Sequence, residues 1–306
     1  MHFEEYLNKA DDTQALWVSP GSEKKANNIK DDIAACRQLT KSANTSRVQV
    51  EVESTIDALV WIIALDGIAE SVFLVPQSLA KSSDYDNLKI LFEPTMCIDN
   101  LGKLSYGDGV SEKHRDPINT CWVIATSGTT GTPKLIEHST ASLTKSCKAD
   151  TSRGRDFIWG LVYDPFRFAG LQVVLQALAS GSKLVLCNEL SSVKDQAEFL
   201  QQHNVNALSA TPSYWRKLLM SGFLTDHYFR QITLGGEPVD QPVLNVLKKT
   251  FPTARIAHIY ASTEAGVGFS VTDGLAGFPA QYLEQGVAGS HLRISESGTL
   301  MIKSEK

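Results

Sequence analysis

Apolar residues along this chain alternate between two spacings. Ile56, Leu59, Val60 and Ile63 recur at helical intervals, and the short run Val72, Phe73, Leu74 and Val75 that follows suits a buried strand. Residues 121–125 and 157–162 read as further strands. Leu171, Leu175 and Leu178 mark a helix that stops at Gly181, and 183–187 a strand after it. The alternation continues with a helix through Val193, Ala197 and Leu200 and a strand at 205–208. Thr211 and Pro212 then form a cap and a first-turn proline for a helix carrying Trp215, Leu218 and Leu219. A strand at 232–234 leads into Gly235 and Gly236, Asp240 caps a helix through Val243, Leu244 and Leu247, and 256–260 is the next strand. Strands and helices in this order predict an α/β fold of stacked, mostly parallel sheets with flanking helices, whose ligands sit where strands end in loops. Residues 1–48 are polar and irregular, with a turn around Trp17, Pro20 and Gly21 and a lysine pair at Lys24 and Lys25. Residues 81–116 read as a connection or a pair of short edge strands.

Composition narrows the class. With 306 residues, 42% hydrophobic and 21% charged, the chain can build one large or two medium domains around a substantial core. A formal net charge of -5 gives no global positive field for a nucleic acid backbone or an anionic membrane. The longest apolar run, 58–65, stops at Asp66, far short of the roughly 20 residues of a spanning helix. Met1, His2, Phe3, Glu4 and Glu5 lead into no apolar stretch, so no secretory signal is read, and a soluble, cytoplasmic protein is expected. Cys36, Cys97, Cys121, Cys147 and Cys187 are scattered singly, without the pairing of a disulfide framework or a zinc site.

The strongest chemical signal follows the strand 121–125. Thr126, Ser127, Gly128, Thr129, Thr130, Gly131, Thr132, Pro133 and Lys134 form a loop of hydroxyls and glycines in which backbone and side-chain donors can converge on an anion. Lys134 adds a full charge, which suits a triphosphate. The glycine spacing is too short for a Walker A loop and a proline precedes the lysine, so the P-loop kinase or NTPase reading fails. A plain glycine and threonine surface turn is the bland alternative.

This nine-residue segment resembles the phosphate-loop signature of the adenylate-forming superfamily, which includes acyl-CoA synthetases, aryl-CoA ligases, peptide-synthetase adenylation domains and firefly luciferase. Three more segments resemble the family's motifs in the family's order. Thr211, Pro212 and Ser213 with Leu218 and Leu219 resemble the segment lining the acyl channel. Gly235, Gly236, Glu237 and Pro238 resemble the glycine-rich adenine motif, and Tyr260, Ala261, Ser262, Thr263 and Glu264 the Tyr-Gly-x-Thr-Glu motif. The resemblance covers about residues 55–303. It implies ATP-dependent activation of an acyl or aryl carboxylic acid to an acyl-adenylate, followed by transfer to the thiol of coenzyme A or of a phosphopantetheine carrier protein. Ser127, Thr129, Thr130 and Lys134 would hold the β- and γ-phosphates. Thr263 would bond the α-phosphate, Glu264 would coordinate Mg²⁺, and Tyr260 would pack against adenine. A non-catalytic nucleotide- or acyl-binding protein lacking the C-terminal domain is the alternative.

Two departures qualify the resemblance. Ala261 stands where the family usually has glycine and adds a methyl group between the adenine and acyl pockets. Arg167 stands where many acyl and aryl relatives carry histidine, in a segment whose Phe168 and Gly170 would also line the substrate pocket. The step from Gly170 to Gly181 matches the acyl and aryl members. Asp164 lies too far before Gly181 to read a substrate amino group, so an amino acid substrate is disfavoured. His138 is read as a residue at a helix start, and the histidines form no catalytic pattern. By resemblance, residues 1–278 form an adenylation core of two α/β subdomains with a boundary near 115–165. Residues 279–306, with the strand-like 298–303, would begin a β-rich subdomain, the start of a small β-barrel. The lysine-bearing C-terminal domain of the family is not seen within 306 residues.

Overall fold

A computed structural model describes residues 2–10, 14–41, 43, 45–100, 102–106, 119–126, 133–224 and 226–304. In chain order its strands are β1 (Ala15–Ser19), β2 (Ser22–Lys25), β3 (Arg47–Val50), β4 (Ser71–Leu74), β5 (Met96–Ile98) and β6 (Leu104–Tyr106). Next come β7 (Cys121–Ala125), β8 (Leu135–Ser139), β9 (Ile158–Leu161), β10 (Lys183–Leu186), β11 (Ala207–Ala210) and β12 (Gln231–Leu234). The chain continues through β13 (Arg255–Ser262) and β14 (Gly266–Val271) to β15 (Ser290–Ile294) and β16 (Leu300–Ser304). Six strands make one sheet in the order β6-β5-β3-β4-β7-β8, and eight make another in the order β14-β13-β12-β11-β9-β10-β1-β2. Interior neighbours run parallel, while β2, β6, β8 and β14 close the edges antiparallel. The expected fold class is the observed one, and the C-terminal end is the small antiparallel ribbon β15-β16.

The core explains the layering. Helix Thr55–Leu65 is buried all round except at Asp57, as an almost uniformly apolar sequence demands. It shares one hydrophobic cluster with helix Phe168–Ser180 and with residues of both sheets, so the two sheets pack across helices rather than against each other. Helices Val193–Gln202, Pro212–Ser221 and Gln241–Thr250 cover the other face of the eight-stranded sheet around Trp215. Helix Tyr85–Phe92 covers the outer face of the six-stranded sheet.

Local chemistry sets the helix starts. Thr211 Oγ1 accepts the Tyr214 N–H at 3.1 Å, with Pro212 in the first turn, and Asp240 Oδ1 accepts the Val243 N–H at 3.1 Å, both as their side chains demand. Several local expectations are corrected. The 81–116 stretch holds a helix as well as the β5-β6 pair. The strand expected at 205–208 runs from Ala207 to Ala210. His138 lies not at a helix start but in β8, buried, with its ring 5.5 Å from that of Phe168. Residues 15–25 form a hairpin that joins the eight-stranded sheet through β1 beside β10.

Candidate functional site

Both sheets end in a β-hairpin that carries a motif. β7 and β8 are joined by residues 126–134, whose ends are fastened together: the Thr126 N–H donates to the Lys134 carbonyl at 2.9 Å, and the Lys134 N–H to Thr126 Oγ1 at 3.4 Å. Lys134 is exposed. Ser127, Gly128, Thr129, Thr130 and Gly131 lie outside the described residues. The base of this hairpin is held by a buried polar hub. Asp66, 3% exposed, accepts the Phe3 N–H at 2.7 Å and the Thr140 hydroxyl at 2.9 Å, and Thr140 Oγ1 in turn accepts Trp122 Nε1 at 3.0 Å.

The second hairpin is β13-β14. Tyr260 and Ala261 lie in β13, and its register slips between them. Thr263, Glu264 and Ala265 form the turn, braced by the Ala265 N–H donating to Ser262 Oγ at 3.1 Å. Glu264 is exposed at the tip and has no hydrogen-bond or ion-pair partner among the described residues. Tyr260 is half-buried. Its ring stacks on Phe269 at 4.6 Å and meets Phe278 edge-on, and burial pushes its phenol pKa up.

Next to β13 in the eight-stranded sheet come β12, β11 and β9. Gly236 adopts a left-handed turn (φ 79°) that favours glycine, and turns the chain after β12 toward Thr211, whose Cγ2 would be 3.6 Å from a Cβ at that position. Exposed Ser213 donates its backbone N–H to Glu237 Oε2 at 3.0 Å. Tyr163 lies just past β9, and its phenol is pushed up first by burial and further by the nearby Glu237 charge. The expected residues Thr211, Ser213, Gly235, Gly236, Glu237 and Tyr260 therefore follow or end three adjacent strands, β11, β12 and β13.

Arg167 caps the start of helix Phe168–Ser180, and its Nη2 donates to Ser78 Oγ at 2.9 Å. Gly170 is fixed by packing, since a Cβ there would fall 2.0 Å from the Asp164 carbonyl oxygen. Phe168 is buried against His138. The Asp164 carboxylate is turned inward: Oδ1 accepts the Phe166 N–H at 2.8 Å, and burial raises its pKa against the opposing pull of that bond and of Arg167.

Two contacts sequence reasoning missed tie the sheets together at their strand ends. Ser78 follows β4 and Arg167 follows β9. Likewise Thr55, after β3, donates its N–H to Glu189 Oε1 and holds Asn188 Nδ2 on its hydroxyl, each at 2.8 Å, where Asn188 and Glu189 follow β10. Parallel strands place their carboxyl ends on one edge, so the carboxyl edges of the two sheets meet along a line. Ser78 and Thr55 carry no local signal, because their roles depend on partners far along the chain. No helix among the described residues is long and apolar enough to cross a membrane.

Known proteins sharpen the assignment. A family model described as AMP-binding enzyme matches residues 27–299. The D-alanine–D-alanyl carrier protein ligase of Bacillus licheniformis is 32% identical over 187 residues, 55% of this chain and 36% of that protein. A nonribosomal peptide synthetase, sidE, of Aspergillus fumigatus is 27% identical over 161 residues, 53% of this chain and 8% of that protein. The chain thus spans little more than a third of the carrier protein ligase it matches. Among solved structures, O-succinylbenzoate coenzyme A synthetase of Bacillus subtilis in complex with AMP superposes with a TM-score of 0.71 at 15% identity. The match covers 98% of this chain and 66% of that one. The NpsA N-terminal subdomain of Klebsiella oxytoca, in complex with 3-hydroxybenzoyl-AMSN, has the same TM-score and identity over 89% and 75%. At such identities the structures carry the fold, while the family model spans most of the sequence. This chain is a member of the AMP-binding enzyme family of adenylate-forming ligases and has the fold of their N-terminal domain.

Proposed function

We propose that the chain activates a carboxylic acid with ATP and serves its transfer to a thiol. The acid's carboxylate oxygen attacks the α-phosphorus, the bond to pyrophosphate breaks, and the thiol of coenzyme A or a carrier protein then displaces AMP from the acyl carbon. The observation that carries this reading is the line along which the carboxyl edges of the two sheets meet, β3 against β10 and β4 against β9. On this reading the order continues one strand further in each sheet, with the carboxyl end of β7 facing that of β11, where Thr211 and Ser213 follow, and with Gly235, Gly236 and Tyr260 beyond. Ser127, Thr129, Thr130 and Lys134 are assigned to the β- and γ-phosphates, Thr263 to the α-phosphate, and Gly235, Gly236, Tyr260 and Ala261 to the adenosine side. Charge stabilisation and positioning carry most of such a reaction.

Glu264 suits Mg²⁺. A single exposed carboxylate without a partner among the described residues fits an ion that keeps waters and takes its remaining oxygens from phosphates rather than from an all-protein cage. Among the described residues no group of three or more acidic, histidine or cysteine side chains could hold a metal alone. Bound there, Mg²⁺ would neutralise charge developing on the phosphates.

For the acid, we assign Arg167, Phe168, Gly170 and Ser213 to the pocket. Arg167 is assigned to a second anionic group, on the acid or on the thiol carrier. An amino acid is disfavoured because Asp164 lies seventeen residues before Gly181, too far to read a substrate amino group. On this reading residues 1–278 act as the adenylation core, with halves meeting near 115–165, and 279–306 begin a β-rich subdomain. The setting is the cytoplasm.

Pyrophosphate exchange on the full-length gene product, across monocarboxylic, dicarboxylic and aromatic acids and D-alanine, tests the proposal. Exchange with one acid class and none without acid is expected. AMP binding with no exchange by any acid would identify a non-catalytic binding protein, and exchange with D-alanine alone would overturn the acid assignment.

A further inference from the structure

Glu237 stands in the glycine-rich segment, yet its carboxylate is spent on the protein. Oε2 accepts the Ser213 N–H at 3.0 Å. This N–H belongs to the first turn of helix Pro212–Ser221, where N–H groups lack intrahelical partners and negative charge is favoured. Thr211 Oγ1 accepts the Tyr214 N–H at 3.1 Å. Chiefly the Ser213 hydroxyl holds the Glu237 carboxyl below its ordinary range, with Arg216 a smaller contributor. Arg216, on the same helix, also pairs with Asp240 at 2.5 Å, and Asp240 caps the next helix. The segment 237–240 is therefore fastened to the helix at both of its ends, with Gly236 supplying the turn just before it.

We propose that Glu237 is a positioning residue: it bolts the 211–213 wall to the 235–236 turn, so that the acid side and the nucleotide side of the site keep a fixed separation. The inference rests on the reading that these two segments flank the acid and the adenosine. Glu237 is exposed, so its substitution is compatible with folding, and a thermal melt of each variant checks this.

The test compares Glu237→Gln and Glu237→Ala with the parent protein by amide hydrogen exchange and by ATP kinetics of the full-length enzyme. The Ser213 amide should exchange roughly tenfold faster in Glu237→Ala and less so in Glu237→Gln, which keeps an acceptor oxygen. KM for ATP and for the acid should rise together, roughly fivefold, with kcat nearly kept, because ground state and transition state lose the same alignment. Unchanged Ser213 exchange overturns the bolt. Faster exchange with unaltered kinetics shows a bond of purely structural value and overturns the positioning role. A parent protein that binds no nucleotide while Ser213 exchange still depends on Glu237 refutes the functional reading instead, and with it the positioning role, while the bolt itself stands.

Discussion

The two motif-bearing hairpins solve one problem in opposite ways. β7-β8 keeps an unbroken register, spans a nine-residue loop, and is secured from below by the Asp66, Thr140 and Trp122 hub and by Phe3, whose ring lies 5.3 Å from that of Trp122. β13-β14 closes with a three-residue turn, slips register after Tyr260, and is secured from the side by Tyr260, Phe269, Phe278 and Tyr282. Directional hydrogen bonds at the base of a long connection fix orientation as well as distance. A short turn that presents one carboxylate needs only non-directional packing to hold it.

Breaking the aromatic support should have the largest effect. Phe269→Ala should cost about 4 kcal/mol, since Phe269 is buried and Tyr260 and Phe278 pack on it, and amide exchange should rise in 258–282 while β7-β8 stays protected. Equal loss in both hairpins would show that they are not separately supported. Asp66→Ala should come next, near 3 kcal/mol by denaturant unfolding, because the Phe3 N–H and the Thr140 hydroxyl lose a buried acceptor. Its local signature should be faster exchange in β7 and β8.

Smaller effects probe the tips. Glu264→Gln in the full-length enzyme should slow adenylation roughly 30-fold, about 2 kcal/mol, while leaving AMP affinity intact, because the carboxylate is assigned to the metal and not the nucleoside. Parallel loss of AMP affinity would assign the residue to holding the turn. Arg167→Lys should be mildest, about 1 kcal/mol in KM for the acid or the thiol, since an ammonium keeps the charge but not the planar fork that also reaches Ser78. Unaltered kinetics toward both would leave Arg167 as a tie between sheets.

Local chemistry made much of this legible from sequence. The caps at Thr211 and Asp240, the alternation from residue 157 onward, and the glycines after β12 all report their structure within a few residues. What escaped depends on distance or on sparse patterning. Helix Ala26–Thr40 buries only Ala26, Ile29, Ile33 and Thr40, too thin a stripe to stand out among polar neighbours. His138 was misplaced because β8 is a half-exposed edge strand with little apolar alternation. Within the site, the motif segments were visible one by one, but the Arg167–Ser78 and Thr55–Glu189 ties that join the sheets needed three dimensions.

The place of β1 carries a consequence for how the protein is made. Leu16, Trp17 and Val18 are buried, and Trp17 pairs with Leu184 of β10, a strand synthesised much later. At a translation speed of about 5–20 residues per second, these side chains wait on the order of ten to thirty seconds before their sheet partner leaves the ribosome. During that interval β1 and β2 can form a hairpin but cannot bury its apolar face, which makes this segment a natural ligand for chaperones at the ribosome exit. High contact order at the first strand should also make refolding in vitro slow and sensitive to concentration, since an unpaired β1 is the sticky edge that aggregation would use.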